Sequence, residues 1–156
     1  MKKRTTQITL EYRYDPNHSG AHYTLDGEHF MNGGDFAEVD TKHEHGFAAK
    51  KDGNTAYDIE SDIPEMNASV KSSGFTLTSK VLADSFNETI EKYFQTVHST
   101  LWIYVIIIGE EVTFYYMNAT EFRQFLETFG TWTERKVIRG RKTSGKMITW
   151  LDERVG

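Results

Sequence analysis

Hydrophobic and polar residues alternate near the start of the chain, over residues 6–14. A period of two predicts a half-buried strand there. Two short segments at residues 21–25 and 28–31 flank an Asp-Gly dipeptide, which favours a tight turn between paired strands. The pattern predicts an N-terminal β-hairpin unit over residues 6–31.

Helical and strand patterns follow each other in the middle of the chain. Phe86, Ile90 and Tyr93 stand at helical spacing and predict a helix over residues 83–97. Residues 101–108 are continuously apolar and rich in β-branched side chains, as expected for a strand buried on both faces. Further predicted elements are helices at residues 35–42 and 121–129, strands at residues 55–59, 68–72 and 112–117, and a short strand or helix start at residues 147–151.

The order of these elements predicts a single domain of the α/β or α+β class. Because strands and helices mix along the chain, we expect a mixed central β-sheet flanked by helices. A length of 156 residues fits one domain. The expected core spans residues 33–129, between the hairpin unit and a basic C-terminal segment at residues 135–156.

Composition excludes several classes of protein. The chain has no cysteine, which excludes disulfide scaffolds, thiolate metal sites and cysteine nucleophiles. No apolar run is long enough to span a membrane, and polar residues follow the basic residues 1–4, so no signal peptide is expected. These features predict a soluble cytoplasmic protein without a membrane partner.

The net charge of −5 excludes a globally basic nucleic-acid binder, but the cations are clustered. Six of the 18 lysines and arginines lie between positions 135 and 146, which leaves open a local patch that contacts a nucleic-acid backbone. A solvated loop near the C-terminus is the alternative interpretation. The six residues are Arg135, Lys136, Arg139, Arg141, Lys142 and Lys146.

An acidic segment precedes the predicted strand 68–72. The strand period places Ser69 and Lys71 on one face of that strand, with Val70 buried opposite. A carboxylate on one short strand that faces a lysine on the next is typical of a divalent-metal site, because Mg²⁺ prefers oxygen ligands. A lysine beside the metal can hold the attacking water and offset charge on a phosphate.

Three short segments in this order carry a more specific pattern: Gly34-x-x-x-Glu38, Asp58-Ile59 or Asp62-Ile63, and Ser69-Val70-Lys71-Ser72. They resemble the motifs of the PD-(D/E)xK nuclease superfamily. The resemblance covers roughly residues 33–129 by element order, and implies a restriction-endonuclease-like fold.

The resemblance implies a DNA endonuclease that depends on Mg²⁺ or Mn²⁺, in which the six clustered cations would hold the DNA backbone. Asp62 would bridge the metal, Lys71 would position the attacking water, and Glu38 would complete the site through waters. Asp58 is the alternative to Asp62. We prefer Asp62, because Asp58 would share one strand face with Glu60. A homodimer is also implied, since duplex DNA has two strands to cut.

One position departs from the family pattern. The family pattern has an acid two positions before the catalytic lysine, whereas this chain has Ser69 at that position. Some restriction enzymes with this change carry the acid on the following helix, where Asp84 and Glu88 are the candidates for metal ligands. Ser69 also motivates a second hypothesis, a catalytically degenerate protein that binds nucleic acid on the same scaffold. A third is a structural or regulatory α+β protein with no nucleic-acid partner.

Overall fold

The computed structural model describes residues 1–7, 9–12, 21–25, 28–30, 48–49, 59–60, 68–77, 83–97 and 99–156. The helices in this part of the chain are α1 (Phe86–Thr96), α2 (Ala119–Phe129) and α3 (Gly145–Asp152). The strands are β1 (Lys2–Gln7), β2 (Thr9–Tyr12), β3 (Ala21–Leu25), β4 (Glu28–Phe30), β5 (Ala48–Ala49), β6 (Ile59–Glu60), β7 (Ala68–Ser72), β8 (Thr76–Leu77), β9 (Leu101–Ile108), β10 (Glu111–Met117), β11 (Gly130–Trp132) and β12 (Ile138–Gly140).

The main sheet has six strands in the order β1-β10-β9-β7-β6-β5. Strands β7 and β9 are parallel, and every other neighbouring pair is antiparallel. A parallel pair needs a crossover connection, which α1 provides between these two strands. The prediction of a mixed sheet accompanied by helices is confirmed.

Two small sheets accompany the main one. Strands β2, β3 and β4 form an antiparallel sheet, and the pairing of Leu25 with Glu28 confirms the predicted hairpin. Strands β11, β12 and β8 form another antiparallel sheet. We refer to the β11-β12-β8 sheet as the small basic sheet, because β12 carries Arg139.

Strand β9 lies in the middle of the main sheet, and its residues 102–106 are buried on both faces, as predicted. Ile108 at its end is exposed. Trp102, Tyr104 and Ile106 belong to the main hydrophobic cluster. Ile103 and Val105 alternate with them and are buried on the opposite face. The absence of charged side chains along this strand follows from burial on both sides.

The three helices cover one face of β9 with aromatic residues. Phe122 of α2 stacks on Trp102, with ring centroids 5.5 Å apart and planes 11° apart. The Trp102 indole donates a hydrogen bond of 2.9 Å to the Tyr93 hydroxyl of α1, so its polar atom is satisfied within the core. No helix in the described ranges is long and apolar enough to cross a membrane.

The N-terminal strand differs from the expectation. Within the strand predicted over 6–14, residues 6–7 and 9–12 belong to two strands in different sheets, β1 and β2. Strand β1 pairs with β10 and forms an edge of the main sheet. Lys2 and Lys3 are exposed on it, and lysines are typical of edge strands because they discourage pairing with another chain. The predicted helix at residues 35–42 lies outside the described residues.

The C-terminal element is the helix α3, and one ionic cluster fastens it to the main sheet. Asp152 accepts a hydrogen bond from the buried Tyr115 hydroxyl of β10 and another from Lys3 of β1, both at 2.8 Å. The hydrogen bond from Lys3 and, to a lesser extent, the hydrogen bond from Tyr115 hold the pKa of Asp152 below its ordinary value. Burial and the neighbouring carboxylate raise the pKa of Tyr115.

We predict that Asp152→Asn lowers the free energy of unfolding by about 1 kcal/mol at neutral pH, because the charge-assisted part of both contacts is lost. A lowered folded-state pKa means that the carboxylate stabilises the protein above the ordinary pKa of about 3.9 and loses this contribution as the pH falls. Urea titrations of both proteins should therefore converge in acid. Glu153→Gln is the matched control, since the only ion pair that the Glu153 side chain forms with a described residue is with Arg154, at 3.9 Å. A gap between Asp152→Asn and wild type that is unchanged in acid would contradict the assignment.

Candidate functional site

Strand β7 carries the predicted Ser69-x-Lys71 motif, and its parallel register with β9 sets the direction of both side chains. Ser69 pairs with Trp102 and Lys71 pairs with Tyr104, so both lie on the face of the aromatic cluster. This register agrees with the prediction that Ser69 and Lys71 share one face of the strand. The prediction that Val70 is the buried residue is wrong: Val70 is half-buried, whereas Ser69 is 3% exposed. The helix-covered face is the more deeply buried one at this strand.

The Ser69 hydroxyl is part of the core. It shares a hydrogen bond of 2.5 Å with the hydroxyl of Ser99, which lies between α1 and β9 and is 7% exposed. Each serine satisfies the other where water is excluded. The structure thus gives the hydroxyl at the expected acid position an internal partner.

The turn after β7 meets the basic C-terminal segment. The Phe75 amide donates to the Ser72 carbonyl at 3.1 Å, and Gly74 takes the left-handed conformation with φ of 69° that this tight turn requires. The Thr143 amide then donates to the Ser73 hydroxyl at 3.0 Å. Thr143 also shares a hydrogen bond of 3.2 Å with the hydroxyl of Tyr104, the register partner of Lys71. The end of the Ser-x-Lys strand and the basic C-terminal segment are therefore adjacent in space, although Ser73 and Thr143 are 70 residues apart in the sequence.

The small basic sheet has one buried face and one solvent face. Leu77 and Ile138 are register partners and are buried against the core. On the other face, Arg139 of β12 is paired with Thr131 of β11 on one side and Thr76 of β8 on the other. All three are exposed. This row places two hydroxyls beside one guanidinium, because directly opposite side chains on one face are close neighbours.

The backbone of β12 is tied to the core next to this row. The Gly140 amide donates to the Phe75 carbonyl at 2.7 Å, and the Arg141 amide donates to the Phe129 carbonyl at 2.9 Å. A side chain at Gly140 would overlap the Phe75 ring, so the glycine allows this close approach. The arginines on either side are held on a fixed backbone.

Two clefts border Arg139 on the solvent face. One has a volume of about 310 Å³, and the other has a volume of about 580 Å³. The first, which we call the basic cleft, is lined by Gly74, Thr131, Thr133, Arg139, Gly140, Arg141 and Lys142. The second is lined by Thr76, Thr133, Glu134, Arg135, Val137 and Arg139.

Five of the six predicted DNA-binding cations are exposed and form no ion pair with any described residue. They are Arg135, Arg139, Arg141, Lys142 and Lys146. Lys136 is different, because its ammonium contacts the Asp84 carboxylate at 2.8 Å. That hydrogen bond raises the pKa of Lys136 and lowers the pKa of Asp84.

The two acids predicted to replace the missing carboxylate are engaged elsewhere. Asp84 is exposed and bound to Lys136. Glu88 accepts a hydrogen bond from the Asp84 amide at 3.0 Å and contacts Lys92 at 2.9 Å, and these contacts lower its pKa. The Glu88 amide in turn donates to Ser85, the N-cap of α1. Both acids therefore act in ion pairs and at the start of a helix, where carboxylates are favourable.

The described part of the chain holds no group of three histidine or carboxylate side chains that could bind a metal ion. Of the predicted ligands, Asp84 and Glu88 lie in this part of the chain, and they belong to no such group. The other predicted ligands, Glu38, Asp58 and Asp62, lie outside the described residues. The predicted metal site stays a prediction.

Sequence reasoning missed the hydroxyl partners of Arg139. Thr76 and Thr131 come from strands of two and three residues, which are too short for a period-two pattern to stand out. The sequence does offer one signal, the alternation of Ile138 and Gly140 with the cations Arg139 and Arg141. In the structure Ile138 and Gly140 are buried, and the two arginines are exposed. This alternation indicates a strand with a cationic solvent face.

Comparison with known proteins adds no family assignment. No protein-family model, curated protein or solved structure matches the chain. The nuclease interpretation is therefore argued from the residues and the strand order alone.

We predict that Ser69→Ala lowers the free energy of unfolding by about 2 kcal/mol, because the buried Ser99 hydroxyl loses its partner. Ser99→Ala should have a similar effect. The double variant should be less destabilised than the sum of the two, since neither hydroxyl is then left unpaired. Urea unfolding of the four proteins measures this coupling, and strictly additive effects would contradict the hydrogen bond.

Proposed function

We propose that the protein acts on DNA as a Mg²⁺-dependent endonuclease with a restriction-endonuclease-like fold. The observation that carries the proposal is the hydrogen bond between Ser73 and Thr143. It joins the end of the strand that bears Lys71 to the segment that bears Arg139, Arg141 and Lys142. A lysine suited to phosphodiester chemistry and cations suited to the DNA backbone thus come from one surface region.

The order of the strands supports the fold assignment. Strands β6 and β7 are antiparallel neighbours, α1 follows, and β9 returns parallel to β7. The family resemblance implies the same order: a strand paired with the lysine strand, then a helix and a buried strand. The buried β9 and the helix α2 after β10 continue the same order.

Lys71 would supply the chemistry that the chain itself contributes. Its strand position is half-buried, and its ammonium would hold the attacking water and offset negative charge on the scissile phosphate. The carboxylates required with it would come from Glu38 and from Asp58 or Asp62.

A second candidate function is DNA binding without cleavage on the same scaffold. The specific observation in its favour is the Ser69–Ser99 hydrogen bond, which gives the position of the family acid a structural role. The ion pair of Asp84 with Lys136 points the same way, because it removes one candidate replacement. Both candidates share the DNA-binding surface and differ only in hydrolysis.

We predict that the wild-type protein nicks or linearises supercoiled plasmid with Mg²⁺ or Mn²⁺ and not with EDTA. Lys71→Ala should reduce the rate by at least about 100-fold, the usual worth of a group that assists proton transfer. The control is Lys92→Ala, which removes a lysine of α1 that contacts Glu88, and should cleave at the wild-type rate.

The outcomes separate the candidates. Full activity of Lys71→Ala, with a circular dichroism spectrum like that of wild type, would contradict the role of this lysine. Wild-type protein that binds DNA but never cleaves it, and that gives no heat on calorimetric titration with Mg²⁺ or Mn²⁺, would favour the second candidate.

A further inference from the structure

The solvent face of the small basic sheet combines features of a phosphate site. Arg139 stands between Thr131 and Thr76 in one cross-strand row. A guanidinium donates two parallel hydrogen bonds to a phosphate, and threonine hydroxyls donate to the remaining oxygens. The row therefore offers donors of two kinds to one anion.

The basic cleft extends this row in one direction along β12. Arg141 lies two residues after Arg139, just beyond the end of β12, and both arginines line this cleft. Lys142 and Gly74 complete the wall of the cleft. No described residue that lines it is acidic, whereas Glu134 lines the neighbouring cleft. The charge thus favours an anion in the basic cleft rather than in its neighbour.

The described lining of both clefts contains no aromatic side chain. Proteins that hold single-stranded nucleic acid usually stack its bases on exposed aromatic rings, in addition to contacting the backbone. A surface of cations and hydroxyls can contact phosphates but has no platform for unpaired bases. It suits the regular backbone of a duplex.

We infer that Arg139, with Thr131 and Arg141, clamps the phosphate backbone of duplex DNA without reading its sequence. This inference rests on the proposed function and assigns its binding step to particular residues. Lys136 is outside the clamp, because its ammonium is paired with Asp84. The structure thereby distinguishes two cations that stand only three positions apart in the sequence.

The test measures the dissociation constant by fluorescence anisotropy on a labelled 20-base-pair duplex and on its single strand, at several salt concentrations. Arg139→Gln should weaken duplex binding about tenfold, the worth of one charge-assisted contact. It should also lower the slope of log K against log salt by about one. Wild type should bind the duplex more tightly than the single strand, and a second duplex of unrelated sequence equally well.

The matched control is Lys136→Asn, which removes the same charge. Asparagine tolerates the left-handed backbone that Lys136 adopts, with φ of 59°. We expect its salt slope to equal that of wild type and its affinity to change less than about threefold, because no phosphate contact is lost. Arg139→Lys, which keeps the charge but not the planar fork, should recover the salt slope and only part of the affinity.

The possible failures are distinguishable. If wild type binds neither form of DNA, the proposed function fails. If it binds duplex DNA but Arg139→Gln and Lys136→Asn behave alike, or if it binds the single strand more tightly, the clamp is overturned while the proposed function stands.

Discussion

The parallel pairing of β7 with β9 is the constraint on which the rest of the structure depends. Two parallel neighbours cannot be joined by a tight turn, so the chain must leave the sheet and return. On this excursion it forms β8 and α1. Strand β8 becomes an edge of the small basic sheet, and α1 covers the aromatic face of β9. One pairing thus creates both the hydrophobic cluster and the support for the cationic surface.

The same pairing determines the surroundings of the Ser-x-Lys motif. In register with Trp102 and Tyr104, the motif faces the helix-covered side of the sheet. At the start of β7 this side is closed, and Ser69 takes part in the core. Toward the end of the strand it opens, and the following turn meets Thr143. A buried structural residue and a half-buried lysine can therefore stand two positions apart on one face.

Sequence patterns predicted the elements whose burial is strong and local. Strand β9 was evident from its unbroken apolar run, and α2 from the spacing of its phenylalanines. The edge strand β1 was not, because its polar residues are held by backbone pairing with β10, far along the chain. The strands β11 and β12 are too short to show a period. Backbone pairing with other strands, rather than the preference of the residues themselves, creates these elements.

In the candidate site, too, some features are visible in the local sequence and others depend on contacts between distant residues. The cluster of cations at residues 135–146 was visible as composition, but the pairing of Lys136 with Asp84 depends on a contact across 52 residues. The burial of Ser69 likewise depends on a partner 30 residues away. By contrast, the role of Glu88 at the start of α1 had a local signal, since Ser85-x-x-Glu88 is a capping pattern. Local motifs indicate helix ends, whereas the environment of a catalytic position requires the fold.

The anchoring of β12 at Gly140 has a consequence for the thermodynamics of association. Ordering one residue of a mobile loop costs roughly 1–2 kcal/mol in backbone conformational entropy when a ligand binds. The backbone around Arg139 has already lost that freedom on folding, through the hydrogen bonds of Gly140 to Phe75 and of Arg141 to Phe129. Only side-chain torsions remain to be restricted when an anion binds. The cations of this strand are thus preorganised by the aromatic core, at a cost that folding has already met.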